Sequence, residues 1–383
     1  MSLDEEFSRL HDEYYSQLMI GKLSKDERSS IRKRFHPKFI EYEKEAEELS
    51  PSNQVNLYHA FCVYYCFDEI DYERFEDFCK RGIEAAKKIT VPIPISKSDA
   101  LSRFYADLGF VRTKQGLDDE AEEYLKKSIF YGISCDNEWT STFYSYRRIN
   151  QYLIQDLVNK ELTVSNPEEF NDPVDCPFFS IRKRRSKKGK DDVLISAYRF
   201  LKIRCFVKSR EDDEESDEYR NTLMWSHYAY SHKGICIRYN LNGQFPYSDE
   251  KEGIASNWED VSYKAKEFLY DEDKSSYTLQ EMFATKKPCW EYESEIRLIH
   301  YDPNHESSFK SLPLGENGKI EAVYFGLKCI KRNSNKVKKI LGDDVAYFQM
   351  NEDEEDIFKL VEVPQNDKAK AMLEATSKVE VES

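Results

Sequence analysis

The densest collection of reactive side chains in this chain is Leu223-Met224-Trp225-Ser226-His227-Tyr228-Ala229, followed by Ser231-His232-Lys233-Gly234-Ile235-Cys236-Ile237. Two histidines, two tyrosines, a lysine and a tryptophan fall within nine residues, directly before an alternating strand whose Gly234 lets backbone approach a ligand closely. An imidazole exchanges protons near neutral pH, so His227 is a candidate catalytic group, with Trp225, Tyr228, His232 and Lys233 as candidate ligand contacts. A second segment runs from Lys286-Lys287-Pro288-Cys289-Trp290 through Glu291-Tyr292-Glu293-Ser294-Glu295-Ile296-Arg297. In an extended chain, Glu291, Glu293, Glu295 and Arg297 share one face, and Tyr292, Ser294, Ile296 and Leu298 the other. Carboxylates that close must pair or shift their pKa when buried. A third segment, Tyr144-Ser145-Tyr146-Arg147-Arg148, leads to Ser165-Asn166-Pro167-Glu168-Glu169-Phe170-Asn171-Asp172-Pro173, whose Asn-Asp-Pro builds a turn.

Other chemistries find less support. His227 and His232 are spaced i, i+5, wrong for one helix face, and no H-E-x-x-H exists, so no metal ligand set is expected. Cys236 beside His232 lies in an apolar strand, where burial raises a thiol's pKa. Neither G-x-x-x-x-G-K-[ST] nor G-x-G-x-x-G occurs, which removes P-loop and Rossmann chemistry. Glu293 and Glu295 with Lys286 or Lys287 are too common a combination to argue a nuclease.

The elements that must carry these residues divide the chain. Residues 1–50 form a charged segment with apolar positions at Leu18, Ile20, Phe35, Phe39 and Ile40, expected as one or two helices. Residues 51–138 read as helical hairpins. Phe75 and Gly82 recur as Ala121 and Ser128 after 46 residues, and Tyr105-x-x-Leu108-Gly109 with Gly116 and Ala121 resembles the tetratricopeptide repeat, where small residues let paired helices pack closely. That resemblance implies a surface that holds a protein partner. Residues 142–350 mix strands (142–146, 162–164, 198–207, 234–241, 295–300, 319–326, 345–350) with helical runs (149–158, 279–285, 334–341), so the fold class is α+β: all-α helical hairpins followed by a mixed domain. Residues 351–383 read as a loosely held acidic tail. A basic run at 182–190 and an acidic run at 211–218 read as solvated insertions.

With 26 Tyr, 23 Phe and 40% hydrophobic residues the chain can build cores. Its 13 Gly and 12 Pro are too few for a turn-rich all-β architecture. No apolar run reaches the roughly 20 residues of a membrane span, and the acidic N-terminus MSLDEEFSRL is unlike a signal peptide, so the cytoplasm is expected. The nine cysteines, without a C-x-x-C pair, read as buried thiols and not as disulfides or a zinc cage. A net charge of −15 opposes general nucleic-acid binding, leaving 182–190 as a local exception.

Four blocks together, Tyr144–Arg147, Ser165–Pro173, Met224–Gly234 and Trp290–Arg297, resemble the bacterial domain-of-unknown-function family 2971 over about residues 142–350; the turn departs from the family pattern in carrying Asn166 and Val174. That family supplies a domain and no activity. The order of an Arg on a first strand, a Ser ending the second, and E-x-E on a late strand also resembles the layout of Arg-Ser-Glu ADP-ribosyltransferases. That layout implies NAD as substrate, Arg147 on its diphosphate, Ser165 bracing the site, Glu295 stabilising the oxocarbenium-like transition state and Glu293 assisting. Trp225, Tyr228 or Tyr292 would stack on nicotinamide. Arg297, on the same face, is equally placed to neutralise Glu295 in a structural ion pair. Two functions follow as expectations: an NAD- or nucleotide-consuming protein of bacterial stress or phage defence with a partner-binding helical region, or a non-catalytic ligand-sensing adaptor.

Overall fold

A computed structural model describes residues 2–19, 23–90, 97–133, 141–170, 172, 175–176, 198–208, 221–242, 245, 248–263, 282–356 and 359–382. The basic run at 182–190, the acidic run at 211–218, Asn171 and Cys135 lie outside the described residues. The chain divides into two units, Met1–Ser134 with Gly189–Arg199 and Glu250–Ala255, and Cys135–Lys188 with Phe200–Asp249 and Ser256–Ser383.

The first unit is built of α1 (Leu3–Leu18), α2 (Lys25–Glu43), α3 (Pro51–Phe67), α4 (Tyr72–Lys87), α5 (Lys97–Lys114) and α6 (Asp118–Ile133). Local sequence sets the helix starts. Ser2 with Glu5 and Ser24 with Glu27 form capping boxes, while Ser50 caps α3 ahead of Pro51 and Asp71 caps α4. Consecutive helices pack as neighbours: α3 on α4 across a four-residue turn, α5 on α6 across a three-residue turn, and α4 on α5. Gly109 shows why a small residue stands in α5: a Cβ there would lie 2.6 Å from Cγ of Leu125 on α6. The core is aromatic, with Phe61 stacked on Phe78 at 4.4 Å and Phe7, Phe35, Phe39 and Phe104 buried around it. The 1–50 segment is thus no separate region, since α1 and α2 bury Phe7, Phe35 and Phe39 in the hairpins' core.

The second unit is α+β, as expected. Its strands are β1 (Ser141–Arg147), β2 (Glu161–Ser165), β3 (Leu201–Lys208), β4 (Ile235–Leu241), β5 (Ala255–Asp260), β6 (Ser262–Tyr263), β7 (Thr285–Lys286), β8 (Glu295–Tyr301), β9 (Phe309–Pro313), β10 (Gly318–Phe325), β11 (Ala346–Glu352) and β12 (Leu360–Pro364). A ten-stranded sheet runs β12-β11-β10-β4-β1-β3-β2-β9, with β8 pairing both β3 and β5. Only β10–β11 is parallel among the described pairs of this sheet, joined through α9 (Lys331–Leu341). Alternation puts Phe143, Ile235, Ile237, Val323 and Phe325 on one face, where α7 (Gln151–Asn159) and Val337 of α9 cover them. Tyr144, Tyr146, Cys236, Ala322 and Tyr324 take the other face, beneath α8 (Thr222–His227) and α10 (Asp367–Glu382).

Two expectations change. The segment taken as a loose tail contributes β12, paired to β11 over five residues, and α10, whose Ala369 is fully buried. The helical run expected at 279–285 gives, among its described residues, a turn of helix at 282–283 followed by β7. No helix among the described residues is long and apolar enough to cross a membrane, and the eight described cysteines are free thiols.

Candidate functional site

β8 is buried at all seven positions, so the charged residues it carries must be compensated inside the domain. Cross-strand register sets Glu295 opposite Val207 and Arg297 opposite Cys205 on β3, on the face that α8 covers. Arg297 is wholly buried. Its Nε donates to Glu295 Oε1 at 2.8 Å, Nη2 to Asp175 Oδ1 at 2.5 Å, and Nη1 to the Phe283 carbonyl at 2.5 Å and Cys176 Sγ at 3.4 Å. Lys286 of β7 completes the cluster, its Nζ 2.7 Å from Glu295 Oε2, 2.5 Å from Glu293 Oε2 and 3.4 Å from Asp175 Oδ2. Two cations therefore hold three carboxylates, and both oxygens of Glu295 are taken.

The charges split the two glutamates. Burial alone would raise the Glu295 carboxyl, but the Arg297 guanidinium and Lys286 ammonium overcome it and hold it at about 2. Glu293 moves upward, because burial and the neighbouring Glu295 outweigh Lys286. Lys286 and Arg297 stay charged well above their ordinary values, the carboxylates reversing the effect of burial.

One hydrogen bond joins the cluster to α8, and a second lies outside it on the surface. Tyr228 Oη donates to Glu293 Oε1 at 2.6 Å, and exposed His227 places Nδ1 2.9 Å from Tyr292 Oη. The rings of His227, Trp290 and Tyr292 gather with centroids 6.1–6.5 Å apart, and Lys286 Nζ lies 5.4 Å from the Trp290 ring centre. Asn221 builds this rim: its Oδ1 caps α8 through Leu223 and Met224, and its Nδ2 donates to the Tyr292 carbonyl.

The extended reading of 291–297 requires correction. Pro288–Glu293 is a 3-10 helix, and Ser294, at φ 44°, turns the chain before β8 begins. Glu291 is consequently exposed, and the third carboxylate is Asp175, which the sequence reading missed. Its N–H donates to the Asp172 carbonyl.

Arg147 does not join Glu295. It projects from β1 toward α7, where Nη2 lies 3.6 Å from Asp156 Oδ2, and burial with Arg204 beside it pulls its pKa down to about 10. Tyr146, its neighbour, faces the Trp225 side, so the sheet itself separates Arg147 from the Glu295 cluster. Ser165 is paired with Ile203, on the same face as Cys205 and Arg297.

Trp225 is core and cannot stack on a ligand: it is fully buried, edge-on to Tyr146 at 5.2 Å. His232 is likewise structural. Tyr230, Ser231 and His232 are all left-handed (φ 52°, 53° and 64°), and the His232 N–H donates to the Trp225 carbonyl while its own carbonyl accepts from Lys328. Its ring meets Ser226 Oγ at 3.2 Å and its pKa is lowered by burial and by Lys328. Gly234 is where this turn touches β1; a Cβ there would lie 2.2 Å from the Arg147 carbonyl oxygen. Lys233 is exposed, its ammonium 5.3 Å from the Tyr230 ring centre. The rim thus keeps His227, Tyr228, Tyr292 and Trp290, with Glu293, Glu295, Arg297, Lys286 and Asp175 beneath.

No curated protein and no solved structure matches the chain. A family model described as "Protein of unknown function (DUF2971)" matches residues 224–298, a stretch that runs from α8 to β8 and takes in both the rim and the ionic cluster apart from Asp175.

Proposed function

We propose that the protein is a non-catalytic, ligand-sensing adaptor: the second unit recognises a flat, nucleotide-type ligand at the His227–Trp290–Tyr292 rim, and the helical unit holds a protein partner. The observation that carries this reading is the engagement of both Glu295 oxygens by Arg297 and Lys286. A carboxylate that stabilises an oxocarbenium ion needs an oxygen turned toward the ribose; here both are turned toward cations and the group is 6% exposed. Three aromatic rings gathered together, exposed His227 among them, suit a ligand with a flat stacking face.

The partner role draws on the helical unit. Its tetratricopeptide-like hairpins expose Phe67 and Ile70 at the α3–α4 turn and Phe110 and Leu117 around the α5–α6 turn. Alternate turns of an up-and-down array lie at one end, and these exposed side chains are the ones the partner reading draws on.

NAD cleavage is the second reading, favoured by the Tyr228–Glu293–Lys286–Glu295 chain that links the rim to a carboxyl of raised pKa. The test is thermal stabilisation by NAD and by mononucleotides, measured alongside nicotinamide release. Stabilisation that Trp290→Ala removes, without release, supports the adaptor; release abolished by Glu295→Gln in a folded protein supports the enzyme.

A further inference from the structure

The helical unit holds a second polar cluster, apart from any residue used above. Where α3, α4 and α5 meet, Cys62, Cys79 and Asp107 bring two sulfurs and a carboxylate oxygen within 4.8 Å of one another. The sulfurs are 3.4 Å apart and both cysteines are at most 1% exposed. Oδ2 of Asp107 is buried with no hydrogen-bond partner, an arrangement that costs free energy unless a cation or donor meets it. Cys66 stands one helical turn after Cys62 and is close enough to interact electrostatically with both Cys62 and Asp107.

We propose that Cys62, Cys79 and Asp107 form a structural site for a soft divalent cation of the zinc class, tying α3, α4 and α5 together, with Cys66, which lies outside this triad, moving in as the fourth ligand. Sulfurs held tetrahedrally at about 2.3 Å from zinc stand roughly 3.8 Å apart, so the observed pair needs to open by only a few tenths of an ångström. Thiolates select zinc over magnesium or calcium, and the carboxylate completes a mixed sulfur–oxygen set. The cation would meet the Asp107 oxygen that has no hydrogen-bond partner. The sequence hides the site because its ligands come from three helices, with no C-x-x-C pair.

Binding releases thiol protons to solvent as the cation takes their place. Occupancy therefore falls as the solution is acidified.

The test uses the full chain, reduced, equilibrated with zinc or with cobalt(II) and desalted. The site predicts one equivalent of retained metal, a cobalt–thiolate charge-transfer band, and a melting temperature that drops on chelation. Cys62→Ser, Cys79→Ser and Asp107→Asn should each weaken zinc binding about tenfold or more, while exposed Cys289→Ser leaves it unchanged. Folded, reduced wild type that retains no metal and shows no cobalt–thiolate band would overturn the proposal. So would undiminished binding in the Cys62→Ser/Cys79→Ser double variant, or thiol titration of the isolated protein showing these two cysteines joined as a disulfide. Should the variants not fold, the wild-type cobalt spectrum decides alone.

Discussion

Glu293 and Glu295 stand two residues apart, share Lys286, and are driven in opposite directions by their surroundings. Glu295 lies at about 2 in the fold against an ordinary 4.5. Its contribution to stability is therefore present above about pH 4.5 and is lost as the pH falls toward 2, an effect on the order of 3 kcal/mol. Glu293 is shifted upward, so its contribution has the reverse sign: present below its ordinary value and lost as the pH rises through the raised one. Urea unfolding at a series of pH values should show Glu295→Gln lowering stability at pH 7 and flattening the acid decline between about pH 4.5 and 2, with Glu293→Gln costing less at pH 7. Arg297→Met, which leaves Glu295 and Asp175 short of a buried cation, should cost about 3–5 kcal/mol in the same measurement.

At the scale of elements, the α8 turn joins strain to close packing. Three consecutive left-handed residues each cost roughly 1–2 kcal/mol unless the surroundings impose them. Ser231→Gly relieves one at the expense of unfolded-chain entropy, so it should leave stability unchanged or raise it by up to about 1 kcal/mol. Gly234→Ala should lose about 1–3 kcal/mol or more, because its Cβ meets the Arg147 carbonyl. Denaturant midpoints check both.

Most strands of the second unit were legible from alternation, β4, β8, β10 and β11 among them, because each puts every second residue into one of two cores. The site was legible only in part. Glu293, Glu295, Arg297, His227 and Tyr228 come together, whereas Arg147 and Trp225 do not serve the same site. Which face of the sheet a strand residue takes is fixed by pairing, and pairing between β1 and β8 runs through β3, far away in sequence. Asp175 was invisible for a related reason, since its partner Arg297 lies 122 residues on.

For the whole molecule, the C-terminal segment is a working part of the sheet. Its acidic composition suggested solvation, but Leu360 and Ala369 are buried, and Met372 and Leu373 pack against the core that includes Trp225 and Tyr324. Removing residues 367–383 should lower stability by about 2–4 kcal/mol and increase binding of a hydrophobic dye, which thermal unfolding and fluorescence would register.

The most direct test of the sealed ionic cluster is nicotinamide release from NAD by the purified full chain, with and without cell lysate as a source of acceptor. Glu295 held on both oxygens predicts no release under either condition, while NAD or a mononucleotide raises the melting temperature of the wild type and not of Trp290→Ala. Nicotinamide release by the wild type that is lost in folded Glu295→Gln would contradict it.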